Sequence, residues 1–224
     1  MGNSYQRHRK ALWILGLASV TLLLWVCAER ETLGVALPPF TEHQDIGTTP
    51  QKGDMHYNPR TREYSITGGG ANIWSKEDAF QFVYTQLSGD LTITADVSFL
   101  GKGAEAHRKA ALMIRQSLDP DSAYADVALH GDGLTSLQYR LSAGADTQEI
   151  RSDLKAPARI RIERHGNEFT IAAGSTNDTL APAGSITVEM RDPIYAGLAV
   201  CSHNANVLET ALFRNVALEL GSKQ

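Results

Sequence analysis

The chain has 224 residues, 42% of them hydrophobic and 21% charged, with a formal net charge of -4. That composition excludes a disordered chain and leaves room for one domain with a full core. The acidic balance excludes general nucleic-acid binding, which needs a basic footprint.

The first predicted element is a targeting segment. Arg7, Arg9 and Lys10 form a basic cluster, and Ala11 to Ala28 follow without a charge. Val26-Cys27-Ala28 fits the small-x-small rule of signal peptidase, with cleavage before Glu29. An uncleaved anchor is the alternative, since some 18 apolar residues just span a bilayer. A lipoprotein reading is weaker, because Trp25 and Val26 precede Cys27 where a small residue is wanted. Export to the periplasm, the cell surface or the medium is expected either way, with membrane contact only through this segment. Without Met1 to Ala28, the 21 basic residues fall to 18 against 25 acidic ones, a charge of -7.

Residues 29–44 read as a linker stiffened by Pro38 and Pro39. From Asp45 to Leu220 strands alternate with turns, and residues 221–224 form a tail. "EYSIT" precedes a Gly-rich turn at Gly68 to Gly70, and Ser88-Gly89-Asp90 separates "FQFVYTQL" from "LTITADVSFL". Ile93, Ala95, Val97 and Phe99 alternate with Thr92, Thr94, Asp96 and Ser98. Ile160 and Ile162 show the same period, and "IYAGLAV" is apolar at both parities, as a central strand should be. Many short strands with regular turns predict an all-β, two-sheet antiparallel β-sandwich of the jelly-roll kind. Trp74 and Phe82 are expected in the core with Ile114, Val127, Ile162 and Phe213. Cys201 stands alone after Cys27 and lies in an apolar strand, so a buried, inert thiol is expected.

Three consecutive strands between His107 and Arg140 have one apolar parity. The other parity carries Met113, Arg115, Ser117, Tyr124, Asp126, His130, Gln138 and Arg140. Closing the turns with Ser117 opposite Tyr124 and His130 opposite Ser136 predicts a row Arg115–Asp126–Arg140 across the sheet. Such a row is either a charge ladder fixing register or a site for a carboxylate or hydroxyl-rich ligand. In the second case Arg115, Tyr124, Asp126, His130, Gln138 and Arg140 would form it, through bidentate Arg contacts. His107, His130 and His203 could converge but lack metal-ligand spacing, and no metal is expected. Asp119 and Asp121 admit a Ca²⁺ alternative to a plain Asp-rich turn. No nucleophile elbow, phosphate loop or H-E-x-x-H occurs, so no catalytic residue is assigned.

Several stretches resemble a family of exported bacterial modules: "YSITGGGANIWSKEDAFQFVYTQLSGDLTITADV", "KAALMIRQSL", "IRIERHGNEFT", "IYAGLAVCSHN" and "ALFRNVAL". The resemblance is to the concanavalin-like lectin/glucanase superfamily, near the regulation-of-enolase-like domains and the C-terminal domain of TolB-like propeller proteins. It implies a concanavalin-like sandwich acting as a non-catalytic recognition module of the envelope, binding carbohydrate or a protein partner without a cofactor. A glycan-active hydrolase is the alternative. The Glu-x-Asp-x-x-Glu strand of the related glucanases is absent, which counts against it.

Overall fold

The computed structural model describes residues 37–221; the targeting segment and its expected helix lie outside them. Sixteen strands run in chain order. The first eight are β1 (Glu42–Ile46), β2 (Asp54–Asn58), β3 (Glu63–Gly68), β4 (Ile73–Trp74), β5 (Glu77–Asp78), β6 (Phe80–Leu87), β7 (Leu91–Phe99) and β8 (Lys109–Arg115). The others are β9 (Tyr124–His130), β10 (Leu134–Arg140), β11 (Gln148–Lys155), β12 (Arg159–His165), β13 (Glu168–Gly174), β14 (Ala181–Thr187), β15 (Ile194–Cys201) and β16 (Glu209–Leu220). One sheet has the order β1-β6-β15-β8-β9-β10-β11 and the other β14-β13-β12-β7-β16-β3-β2. Every pairing is antiparallel, and no helix occurs among the described residues. The expected two-sheet sandwich is the fold. β1 begins within the segment read as linker: Glu42 pairs with Tyr84, and Phe40 is buried, so the fold starts before Asp45.

The period-2 pattern decides which side chains meet between the sheets. Along β7, Leu91, Ile93, Ala95 and Val97 turn inward while Thr92, Thr94 and Asp96 face out. Ile160, Ile162, Phe169 and Phe213 join them from their own sheet, and Leu112 and Ile114 of β8, Val127 of β9 and Leu137 of β10 meet them from the opposite one. On β16 a bulge between Arg214 and Ala217 bends the strand. Asn215 there adopts a left-handed conformation (φ 50°), which Asn tolerates, and its amide donates to Asp96 at 2.7 Å.

The first sheet is buried on its other face as well. Every residue of β8, β9 and β10 is buried, polar parity included. A second apolar cluster lies there, built from Phe80, Phe82, Tyr84, Met113, Tyr124 and Cys201. Phe82 is therefore core, but outside the space between the sheets. Burial pushes the Cys201 thiol up to about 11, which keeps it protonated and unreactive. The cover is irregular chain carrying the short β4–β5 hairpin, joined by the turns after β8 and β10. Gly70 makes the close approach possible: with φ +107°, any Cβ there would lie 1.9 Å from the Ala79 carbonyl oxygen.

Candidate functional site

The covered face answers what the arginines of β8 and β10 do. The register sets Arg115 opposite Tyr124 and Tyr124 opposite Arg140, with Asp126 between Met113 and Gln138. The expected row Arg115–Asp126–Arg140 does not form, because both pairings are offset by two residues. Each turn has a local cause. After β8, the Arg115 guanidinium donates to the carbonyls of Ser117 (2.7 Å) and Asp119 (2.5 Å), which pulls Ser117 out of the ladder. After β9, Asp132 caps the Leu134 amide and Gly133 donates back to His130, making a three-residue turn. Gly133 takes φ +86°, the left-handed geometry such a turn needs.

The carboxylate shared by the two arginines is Asp78 of β5. Its oxygens accept a fork of bonds from Arg140 at 2.7 and 2.8 Å, and Arg115 lies 3.7 Å away. All three side chains have no exposed surface. Arg140 also donates to the Ser75 carbonyl (3.0 Å), and the Thr147 amide donates to the same oxygen (2.9 Å). The Arg140 guanidinium sits 5.1 Å from the Tyr124 ring centre, and Arg115 lies 5.2 Å from that of Phe80. Burial pushes the Asp78 carboxyl above its ordinary value, against the pull of Arg140 and Arg115. The parallel fork is nonetheless the geometry of an ionised carboxylate. This cluster clamps the β4–β5 hairpin onto the sheet. Arg115, Arg140 and Tyr124 are fully buried beneath the hairpin, so the place the sequence suggested for a ligand carboxylate between the two arginines is taken by the protein's own Asp78.

One end of the same face does open to solvent. A pocket of about 200 Å³ has Trp74 and Asn72 of the hairpin on one side and His107 and His203 on another. Lys109, His130 and Gln138 rise from β8, β9 and β10, and Glu149 and Arg151 stand on the edge strand β11. Two predicted site residues, His130 and Gln138, therefore reach a cavity; Asp126 lies buried behind them. The three histidines do converge, with ring centres 5.9 Å (His107–His130) and 5.6 Å (His107–His203) apart. Among the described residues no group of three His, Cys, Asp or Glu side chains is placed to hold a metal ion. In the Asp-rich turn, the Asp119 carbonyl is taken by Arg115 and its carboxylate by the Ser117 hydroxyl.

Hydrogen bonds order the pocket. The Lys109 ammonium donates to Asn72 Oδ1 (2.8 Å) and to the Ile73 carbonyl (2.7 Å), and lies 5.4 Å from the Trp74 ring centre. His130 Nδ1 lies 3.2 Å from the Leu134 carbonyl, which assigns the proton there and leaves Nε2 to accept from Gln138 at 3.3 Å. Glu149 accepts from Gln138 (3.1 Å) and from Arg151 (2.7 Å). Burial would raise the Glu149 carboxyl, but those bonds hold it below its ordinary value. Burial, helped by Lys109, pushes His130 down to about 4 and lowers His203. Burial also lowers Lys109, against the attraction of Asp126. Asp126 has no hydrogen-bond partner on either oxygen, and burial pushes it up to about 8 although Lys109 opposes this.

Trp74 was expected in the core and is instead a half-buried wall. It lines a neighbouring cavity of about 370 Å³ as well, beside Thr48, Glu77 and Pro120. Asn72, Lys109, Glu149 and Arg151 carry no motif. Only the parity of Lys109 with Met113 and Arg115 could have marked one of them.

No family model matches the chain, and no curated protein matches it. Solved structures do resemble it. A functionally unknown protein from Saccharomyces cerevisiae superposes with a TM-score of 0.61 at 12% identity, over 81% of this chain and 97% of that one. The GH43 protein BlXynB from Bacillus licheniformis gives 0.52 at 7% identity, over 80% of this chain and 39% of its own. The xyloglucan-locus GH43B of Bacteroides ovatus gives 0.51 at 14% identity, over 83% and 40%. These likenesses are of fold: the chain is a two-sheet antiparallel β-sandwich.

Proposed function

We infer that the protein is an exported, non-catalytic recognition module of the bacterial envelope, of the regulation-of-enolase-like kind, and that it binds carbohydrate at the Trp74 pocket. One observation carries this reading. An indole forms the wall of a solvent-open cavity whose other sides carry three imidazoles, two amides, an ammonium, a guanidinium and a carboxylate. Sugars present apolar ring faces and a rim of hydroxyls, which an aromatic wall with convergent polar groups matches. A flat protein partner fits a concavity of this size less well. Hydrolysis needs two carboxylates flanking the scissile bond. Among the described residues Glu149 is the one carboxylate lining the pocket, and it is committed to Gln138 and Arg151.

Trp74 is the sole tryptophan after residue 28, so in the exported form its fluorescence reports the pocket directly. Titration with an oligosaccharide panel should change that emission without releasing new reducing ends. Trp74→Ala, followed by calorimetry because the variant keeps no tryptophan in the exported form, should cost roughly 5- to 150-fold in affinity if the sugar stacks as well as a nucleobase does, at ~1–3 kcal/mol. Undiminished binding by that variant would move the site elsewhere. Export rests on the basic and apolar N-terminus. Mass spectrometry of the exported protein should find Glu29 as its first residue, and a mature chain retaining Met1 would favour the anchor.

A further inference from the structure

We propose that the Trp74 pocket holds the carboxylate of an acidic sugar against Lys109, and that binding draws protons into the pocket. This deepens the carbohydrate reading and rests on it. The lining carboxylate, Glu149, already accepts from Gln138 on one oxygen and Arg151 on the other. The ammonium of Lys109 has three donors, of which Asn72 and Ile73 take two. Arg151 spends its Nε on Glu149 and is otherwise exposed. The side chains therefore offer a ligand more donors than ionised acceptors. A carboxylate supplies acceptors and the missing negative charge together.

The charges that face the pocket come from five directions. The approach to β8 and β8 itself bring His107 and Lys109, and β9 brings His130 with Asp126 behind it. From β11 come Glu149 and Arg151, and the β15–β16 connection brings His203. Asp132 acts on His130, and Glu105 acts on His203. After burial, the charge of Lys109 is what holds His130 and His203 in their neutral forms. A ligand carboxylate set against that ammonium offsets its field and favours the imidazolium forms. Proton uptake accompanies binding, so affinity for an acidic sugar rises as pH falls from 8 to 5. A neutral sugar has no such effect.

Calorimetry on the exported protein tests this with matched oligosaccharides: galacturonate against galactose, glucuronate against glucose, and mannuronate against mannose. One acidic member should bind about tenfold or more tighter than its neutral counterpart at pH 6. Its binding enthalpy should depend on the ionisation enthalpy of the buffer, with the sign of proton uptake. Lys109→Met should bring the ratio of acidic to neutral affinity down to about one and abolish the buffer-dependent proton uptake, whatever it does to the affinity of both members together. Should that variant misfold, Arg151→Ala at the exposed rim and the proton uptake of the native protein still decide the matter. Equal or tighter binding of the neutral members, without proton uptake, overturns the acidic-sugar assignment and leaves carbohydrate recognition standing. Failure of every member to bind overturns both.

Discussion

Replacing Asp78 by Asn should cost about 3–5 kcal/mol of stability, because it removes one partner of a buried ion cluster. The loss exceeds that of an ordinary salt bridge for a geometric reason. Arg115 and Arg140 are both fully buried, and Asp78 is the carboxylate within ion-pairing distance of either. Without it, two guanidiniums remain in a medium that solvates them poorly, with only carbonyl and hydroxyl oxygens as acceptors. Arg140 retains Ser75, Ala145 and Ser122, and Arg115 retains Ser117 and Asp119, so hydrogen bonds survive while charge compensation does not. Urea unfolding followed by circular dichroism measures the difference. A cost below about 1 kcal/mol would mean that the carbonyls alone satisfy both arginines and that the cluster does not clamp the hairpin.

Asp126 should behave in the opposite way. Its carboxyl is buried with no donor at hydrogen-bonding geometry, and burial pushes it from its ordinary 3.8 up to about 8, against the pull of Lys109 and the Gln138 backbone. The native state thus keeps a proton that the unfolded chain releases between those values. Stability from this group is full below the lower value and declines as pH rises towards 8, by at most ~1.4 kcal/mol per unit. His130 acts with the reverse sign between about 4 and 6.5, where the unfolded chain binds the extra proton. Lys109, lowered by burial, also acts in reverse where it titrates. The wild-type profile is therefore a composite, and the difference between Asp126→Asn and wild type isolates the carboxyl. Asn keeps the shape and cannot ionise. The variant should gain roughly 1–3 kcal/mol over wild type at pH 8, and the gain should shrink towards pH 5. Unfolding at three pH values reads this directly, and a difference that stays constant with pH would place the titrating proton on another group.

The two carboxylates show what the sequence could and could not reveal. Inter-sheet packing is a local property: the alternation in β7 and β12 names Ile93, Val97, Ile160 and Ile162, and they are core. The apolar parity of β8 to β10 is equally legible. Their polar parity is also buried, and nothing local says so, because the cover comes from far along the chain. Asp78 precedes its partner Arg140 by 62 positions, and Lys109 is held by Asn72 and Ile73, 37 and 36 positions before it. The offset of two residues in register has a different origin. Parity is blind to even shifts, and the turns were settled by side chains closing on backbone, Arg115 in one and Asp132 in the other. Trp74 was misplaced because a large aromatic beside Ile73 and Phe80 reads as core. Ile73 and Phe80 are indeed buried, while Trp74 lines the pocket.

The covering layer on the outer face of the first sheet bears on how this molecule can change. Trp74, Asn72 and Asp78 pack outside that sheet, while Leu112, Val127 and Ile162 pack inside it, so a full thickness of backbone separates the two groups. Energetic effects of residues that share no partners combine nearly additively. The hairpin that walls the cavity is fastened by Asp78 and the Ser75 carbonyl, and neither fastening uses the Trp74 side chain. Ligand preference and folding stability can therefore drift separately in descendants of this chain. Randomising a handful of hairpin and rim positions would explore new specificities on an undisturbed frame.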